Sequence, residues 1–214
     1  MGSLILYSVP GTTATLVCAA LEETGAPYDT VQVERRDRDT PPEFKQGNPH
    51  DRVPALHDGE VRLYEAAAII LHLGDRFPDS PLAPPMRTPE RSDYYRWLVY
   101  LTNTLQTAYH RWYAPWYLPD TPELGQSIRD AGRRDIGGCL DFIDGHLNDR
   151  PYLIGERFSG ADLLLHMLES ANWSLDLEPA VFTRANLAAH HARVDGRPAV
   201  QRMKAIHGLD WSTV

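Results

Sequence analysis

A cluster of prolines divides this chain into two parts with different hydrophobic periods. Prolines stand at positions 78, 81, 84, 85 and 89. Because proline fixes φ and lacks an amide hydrogen, a helix or strand does not run through such a segment. Before the cluster, strand-like and helix-like spacings alternate, and after it only helix spacing is found. The sequence therefore predicts an α/β domain at residues 1–77, a stiff, extended Pro-rich linker at residues 78–87 and an all-α domain at residues 88–214.

The first part predicts the element order βαβ-α-ββα. Residues 4–7 form a short apolar run typical of a buried strand, and Gly25 follows a helical segment where a C-cap belongs. Residues 28–33 alternate as a strand does, and a loop with a short helix follows. Asp58-Gly59 stands between two apolar runs and indicates a hairpin, after which residues 65–75 have helix spacing. A parallel βαβ unit joined to an antiparallel hairpin gives a mixed sheet covered by helices.

The second part predicts helices alone. Thr88 and Pro89 suit the N-cap and first position of a helix, which continues through Tyr109 to Pro115 or Pro119. Further helices are predicted over residues 123–147, from Ser159 onward, and near residues 182–191 and 198–207.

Composition excludes several classes of function. A net charge of −8 argues against a protein that binds nucleic acid by neutralising phosphates. No apolar run approaches a membrane span, and the run at residues 4–7 is too short for a signal peptide. Two cysteines, Cys18 and Cys139, make neither a disulfide framework nor a zinc site, so we expect a reduced, cytoplasmic protein. The nine histidines show no metal-ligand spacing, and no metal is expected.

Three segments carry a resemblance to a known family. Residues 48–56 (NPHDRVPAL) are similar to N-P-x-G-K-V-P-x-L, and residues 63–69 (LYEAAAI) to L-x-E-S-x-A-I. Residues 155–162 (GERFSGAD) are similar to the buried capping box of a helical domain. In this order and spacing, over essentially the whole chain, they resemble the cytosolic glutathione transferases, most of all the bacterial beta-type members.

The resemblance implies a thioredoxin-like N-terminal domain, an all-helical C-terminal domain and a glutathione S-transferase activity. Glutathione would be the co-substrate, its thiolate attacking a small hydrophobic electrophile, as in detoxification. The resemblance also implies a homodimer, with residues 88–105 packed against residues 65–75 of the partner.

Five residues of the two N-terminal segments are implied to bind glutathione: Arg52, Val53, Pro54, Glu65 and Ala66. In the family this proline is cis, and the backbone of the residue before it pairs with the cysteinyl part of glutathione like an added strand. Glu65 would bind the γ-glutamyl ammonium, while the helix after it would receive the carboxylate. A trans proline and a simple helix cap are the structural alternatives.

A transferase must stabilise a thiolate by hydrogen bonds near a helix N-terminus. Aligned on Gly25, the family's serine position falls on Thr12, its cysteine position on Thr13 and its tyrosine position on Tyr7. Thr12 is the first choice, although either threonine could instead cap the helix. Tyr7 could pack rather than react, and Ser8 is a fallback. Since this turn contains no cysteine, disulfide reduction is disfavoured.

An aromatic stripe at helical spacing consists of Tyr109, Trp112, Tyr113, Trp116 and Tyr117, and its first four residues are the predicted acceptor pocket. The resemblance puts the pocket between the two halves of the chain and favours an aromatic acceptor. The alternative is that the stripe belongs to the core, and His110 is either at the cleft or simply polar surface.

Two residues depart from the family pattern. Ala66 replaces a serine whose hydroxyl would bind the γ-glutamyl carboxylate, and Asp51 replaces a glycine near the expected glycyl carboxylate, where Arg52 could offset its charge. Both keep open a noncatalytic binding or scaffold protein, and a glutathione-dependent isomerase or dehalogenase is a further alternative. Asp162, three residues after Ser159, is predicted to be structural.

Overall fold

A computed structural model describes residues 3–33, 41–113, 121–171 and 183–209. The chain forms two compact units, one of residues 1–85 with 194–214 and one of residues 86–193. Among the described helices, none is long and apolar enough to cross a membrane. The predicted fold class, a thioredoxin-like α/β part followed by helices, is confirmed.

The first unit is built on a four-stranded sheet with the order β2-β1-β3-β4. Its first elements are β1 (Leu4–Ser8), α1 (Ala14–Thr24), β2 (Tyr28–Gln32), α2 (Pro42–Lys45), β3 (Ala55–Asp58), β4 (Val61–Tyr64) and α3 (Ala66–Arg76). β1 pairs with β2 in parallel, while the β1–β3 and β3–β4 pairs are antiparallel. This is the element order that the sequence predicts.

Two glycines end elements as their positions predict. Gly25 has a φ of 65° and caps α1 in the left-handed conformation, which costs glycine little because it has no Cβ. Gly59 has a φ of 57° and follows Asp58, the last residue of β3. The hairpin therefore turns at Gly59 and Glu60, between the paired residues Asp58 and Val61.

The two faces of the sheet bury different residues. Leu6 and Leu56 are both fully buried, and α1 contacts β1 and α3. Because side chains alternate along a strand, Tyr7 and Ala55 point to the opposite face. There they form a small apolar cluster with Val33 and Phe44 of α2.

The proline-rich segment differs from the predicted extended linker, because its first part is folded into turns. The Ser80 amide donates to the Phe77 carbonyl at 2.9 Å, and Leu82 is fully buried. A Cβ on Gly74 of α3 would come within 2.7 Å of the Ala83 Cβ. The close approach of Ala83 to Gly74 places the segment against α3, and its prolines favour turns.

The last helix, α9 (Pro198–His207), packs against α1 and so belongs to the first unit. Arg197 binds both carboxylate oxygens of Glu23, at 2.6 and 2.9 Å. Arg202 forms a second ion pair with Glu22. The sequence groups residues 88–214 as one helical domain, whereas this packing joins α9 to the α/β part. The domain limits drawn from the linker stay a prediction.

The second unit consists of helices. Its elements are α4 (Pro89–Tyr100), a π-helical segment (Leu101–Leu105), α5 (Gln106–Tyr113), α6 (Pro122–His146), a 3-10 turn (Leu147–Asp149), α7 (Gly160–Ala171) and most of α8 (Ala185–Asp195). The Thr88 hydroxyl accepts the Arg91 amide at 3.3 Å, so the predicted N-cap is confirmed. The π-helical segment interrupts what the sequence predicts as one helix. The predicted stops Pro115 and Pro119, and Phe182, lie outside the described residues.

Asp162 has the structural role that the sequence predicts. Its carboxylate accepts hydrogen bonds from the amides of Ser159 and Leu153, each at 2.8 Å. The Ser159 hydroxyl in turn accepts the Ala161 amide at 3.3 Å. These contacts satisfy amides at the start of α7 and anchor the preceding turn.

Candidate active site

The peptide bond between Val53 and Pro54 is cis, as the resemblance implies. Pro54 is buried directly before β3, Val53 is half-buried and Arg52 is exposed. The Val53 amide donates no hydrogen bond to any residue that the structure describes. The segment therefore offers backbone groups to a ligand at the end of the sheet.

Asp51, which replaces a family glycine, lies in the left-handed region with a φ of 48°. Its amide donates to the Asn48 carbonyl at 3.2 Å and closes a turn. Glycine adopts this conformation freely, and aspartate is among the few other residues that tolerate it. The loop keeps its shape with Asp51, but it carries an additional negative charge.

Glu65 stands immediately before α3 with a φ of 68°. It is exposed, makes no capping hydrogen bond, and its carboxylate has no ion-pair partner within the described ranges. Glu65 is thus the N-cap residue by its backbone, since its carbonyl accepts the Ile69 amide at 3.0 Å, and its carboxylate makes no capping hydrogen bond. A non-glycine residue at this φ costs about 1 kcal/mol or more. Ala66 begins the helix, whose first amides have no partner within it.

The two threonines of the first turn have different partners. The Thr12 hydroxyl donates to the Val9 carbonyl at 2.7 Å and accepts the Ala14 amide at 3.3 Å. Thr12 thus supports the start of α1. The Thr13 hydroxyl donates to the Val53 carbonyl at 3.4 Å, a long contact that links the start of α1 to the cis-proline segment. Ser8 is fully buried, which leaves it far from solvent.

Tyr7 packs in the first unit. It is 4% exposed, and its ring lies 5.4 Å from the Phe44 ring and 4.8 Å from the His57 ring. Burial, followed by the charge of Glu43, raises the pKa of the Tyr7 phenol. Tyr7 therefore stays protonated at neutral pH. Burial also raises the pKa of the Cys18 thiol to about 11, so Cys18 is no thiolate source.

The residues of the aromatic stripe in the second unit differ in how deeply they are buried. Tyr109 is 2% exposed, and burial together with the charge of Glu169 raises its pKa. It belongs to the core, the alternative that the sequence left open, because its side of α5 faces inward. Trp112 and Tyr113 are half-buried, and the His110 ring lies 5.5 Å from the Tyr113 ring. Trp116 and Tyr117 lie outside the described residues.

A buried acid–histidine network in the second unit was missed by the sequence reasoning. His190 Nε2 lies 3.1 Å from an Asp162 oxygen, and its Nδ1 lies 3.7 Å from Glu169 Oε1. His191 contacts the other Glu169 oxygen at 3.3 Å. Glu169 and His190 are both fully buried. The sequence contains one signal of this network. His166, Glu169 and the His190-His191 pair stand at helix positions where apolar residues are expected.

The charges of this network stabilise each other. Burial alone would lower the pKa of His190, but the bond to Asp162 and the charge of Glu169 outweigh it and raise that pKa to about 9. Burial alone would raise the pKa of Glu169, yet the two histidines lower it to about 2. At neutral pH the network therefore holds a buried imidazolium between carboxylates.

Comparison with known proteins gives the family. The glutathione S-transferase N-terminal domain matches residues 2–75, and the glutathione S-transferase C-terminal domain matches residues 105–198. Glutathione S-transferase GstA of Escherichia coli O157:H7 is 28% identical over 208 residues, which cover 95% of this chain and 98% of its own.

Solved structures agree. The beta class glutathione S-transferase of Sphingomonas chungbukensis has a TM-score of 0.82 and 29% identity over 96% of this chain and all of its own. A sphingomonad glutathione S-transferase complexed with glutathione has a TM-score of 0.81 and 27% identity, again over 96% of this chain and all of its own. Since both domains match in the predicted order and relatives are similar over nearly the full length, this chain belongs to the glutathione S-transferase family.

Proposed function

We propose that the enzyme binds glutathione at the end of the sheet and directs its thiolate at a hydrophobic electrophile, with an aromatic acceptor favoured. One observation carries the proposal: the Thr13 hydroxyl contacts the Val53 carbonyl at 3.4 Å. This contact places the Thr13 hydroxyl, which would donate a hydrogen bond to the thiolate, beside the backbone that would pair with the cysteinyl group. The sphingomonad relative complexed with glutathione supports the choice of co-substrate.

The γ-glutamyl end is proposed to bind at the start of α3. Glu65 has an exposed carboxylate that would pair with the ligand's ammonium, and the first amides of α3 would receive its carboxylate. The strained φ of Glu65 supports this role, because strain of this kind is concentrated at binding sites. Arg52 is proposed to counter the charge of Asp51 near the glycyl carboxylate.

Thr13 is the proposed donor to the thiolate, with Thr12 as its support. The single hydroxyl proton of Thr12 is engaged with Val9 at 2.7 Å, whereas the 3.4 Å contact of Thr13 is weak enough to exchange for a sulfur anion. This favours the reverse of the ranking that the sequence suggests. Tyr7, packed against Phe44, is proposed to have a structural role.

Trp112 and Tyr113, at the end of α5, are the proposed acceptor contacts, together with Trp116. The half-buried rings of Trp112 and Tyr113 offer the polarisable surface that an aromatic electrophile needs. Tyr109 is left out of this set because it is buried. We place the enzyme in a reducing, cytoplasmic compartment, where the buried free thiols Cys18 and Cys139 stay reduced.

A homodimer is proposed from exposed apolar side chains on α4 and its preceding turn. Met86 is 61% exposed, Tyr95 40% and Val99 56%, and the Tyr95 hydroxyl contacts the Met86 sulfur at 3.7 Å. Exposed apolar residues grouped in this way mark interaction surfaces. Light scattering at micromolar concentration should give twice the chain mass, and a monomer would contradict the proposal.

A noncatalytic binding or scaffold protein, which keeps the fold but has lost glutathione binding, is the second candidate, favoured by Ala66 and Asp51. The test is retention on immobilised glutathione together with conjugation of a chloronitrobenzene followed by absorbance. Retention with conjugation supports the transferase. Retention without conjugation of any aromatic electrophile contradicts the proposed reaction. Failure to be retained contradicts the transferase and supports the scaffold protein.

A further inference from the structure

Asn48 is a buried asparagine whose amide binds both backbone groups of one residue. It is 2% exposed. Its Nδ2 donates to the Arg52 carbonyl at 3.0 Å, and its Oδ1 lies 3.5 Å from the Arg52 amide nitrogen. A carbonyl accepts only from the NH₂ group and an amide donates only to the oxygen, so these two contacts fix which way the Asn48 side chain is turned.

The contact with the Arg52 carbonyl sets the direction of the next amide. The Arg52 carbonyl and the Val53 amide belong to one peptide unit, which is planar and trans, so they point in opposite directions. Asn48 holds the carbonyl on its buried side. The Val53 N–H therefore points away from Asn48, and it has no partner within the described residues.

Val53 is held at its other end as well. The Thr13 hydroxyl donates to the Val53 carbonyl at 3.4 Å, and the Asp51 amide closes the turn onto the Asn48 carbonyl at 3.2 Å. Asn48 thus fixes the Arg52–Val53 peptide unit, while the weak Thr13 contact orients the Val53 carbonyl until the thiolate takes its place. A backbone held in this way is preorganised for a ligand that pairs like a strand.

We propose that Asn48 is a positioning residue of the transferase, which directs the Val53 N–H at the cysteinyl carbonyl of glutathione. This inference rests on the proposed binding of glutathione along Val53. Asn48 does not touch the ligand. It acts through the Arg52–Val53 peptide unit. Without the Asn48 side chain this unit rotates in the free protein, and part of the free energy of glutathione binding is then used to order it.

A purely structural role would have other consequences. An asparagine that only stabilises the loop would, when removed, lower stability and weaken every ligand of the site alike. A positioning role is confined to the one hydrogen bond that the Val53 N–H donates. The two are separated by a glutathione analogue whose cysteinyl–glycine amide is replaced by a trans-alkene, because that analogue keeps the shape but has no carbonyl to accept the bond.

The experiment is titration calorimetry of the parent, Asn48→Ala and Asn48→Asp with glutathione and with the alkene analogue. We expect Asn48→Ala to bind glutathione about tenfold more weakly and to bind the analogue as the parent does. At saturating glutathione, kcat should be unchanged while KM rises, because uniform binding is lost. Asn186→Ala is the control, since Asn186 also donates from its amide to a backbone carbonyl, that of Asp144 at 3.0 Å.

Asn48→Asp keeps the shape of the side chain and tests the donor directly. The ionised aspartate has no proton to donate to the Arg52 carbonyl. At neutral pH this variant should therefore bind glutathione more weakly than the parent. Its affinity relative to the parent should recover as pH falls, because the buried carboxyl protonates and donates again. Equal weakening of both ligands, or parent-like glutathione binding by either variant at neutral pH, would overturn the inference. A parent that fails to bind glutathione would instead overturn the proposed function.

Discussion

The buried His190 imidazolium makes the stability of the protein fall as pH rises through the neutral range. The pKa of His190 is raised from 6.5 in the unfolded chain to about 9 in the folded protein. Below pH 6.5 both states carry the proton, and the stabilisation is fully present. Between pH 6.5 and about 9 the folded state binds one proton more than the unfolded state, so the free energy of unfolding decreases with pH.

The magnitude follows from the size of the pKa difference. Each pH unit in this window removes about 1.4 kcal/mol, so about 3 kcal/mol is lost by pH 9. The lowered pKa of Glu169 arises from the same interaction with His190, so its free energy is not added to the ~3 kcal/mol a second time. Its own window lies in acid, where stability is lost as pH falls from 4.5 towards about 2.

Urea unfolding of the parent and of two histidine variants, at pH 6.5, 7.5 and 8.5, measures the effect. His190→Gln should be destabilised by about 3–5 kcal/mol at pH 6.5, because buried carboxylates lose their counter-charge. The difference from the parent should shrink as pH rises. His207→Gln is the matched control, since burial lowers the pKa of His207, the opposite direction to the shift of His190. A parent-minus-His190→Gln difference that stays constant across these pH values would refute the charge assignment.

Three further predictions concern the glutathione site. Thr13→Val should lower the conjugation rate by about 10²–10³, because only Thr13 donates to the thiolate. Thr12→Ala and Tyr7→Phe should keep most of the activity. Steady-state rates measure this, and a larger loss in Thr12→Ala than in Thr13→Val would restore Thr12 as the donor. Ala66→Ser should tighten glutathione binding about tenfold in calorimetry by supplying the missing hydroxyl, and unchanged affinity would show that no γ-glutamyl carboxylate lies there. Glu65→Gln should weaken binding severely, because the ammonium loses its counter-ion, and parent-like affinity would place the ammonium elsewhere.

Local signals made most of the fold predictable from sequence. The Gly25 cap, the Asp58-Gly59 turn and the Thr88 cap each depend on residues within a few positions, so a single sequence contains the necessary information. The folded start of the linker depends on Ala83 meeting Gly74, which no local pattern encodes. The same is true of α9, because the ion pair between Glu23 and Arg197, the residue before α9, joins positions that are far apart in the sequence.

The candidate site was predictable in its segments but not in its contacts. Residues 48–56 and 63–69 identified Val53, Pro54 and Glu65 through resemblance, and the cis bond agrees. The partners of the two threonine hydroxyls depend on how α1 meets the proline segment, and Asn48 is revealed only by its burial. Tyr109 illustrates a general limit, because spacing places a residue on a helix face without saying whether that face meets solvent or core.

The packing of α9 on α1 has a consequence for biosynthesis. The α/β unit consists of residues 1–85 and 194–214, so its final helix is translated only after the whole helical unit. At about 5–20 residues per second, ribosomes need on the order of ten seconds to make the intervening segment. Throughout that interval the surface of α1 that α9 covers is bare on the nascent chain. The part of the protein that is made first is thus the part that is finished last, and a chaperone that shields α1 would act in that interval.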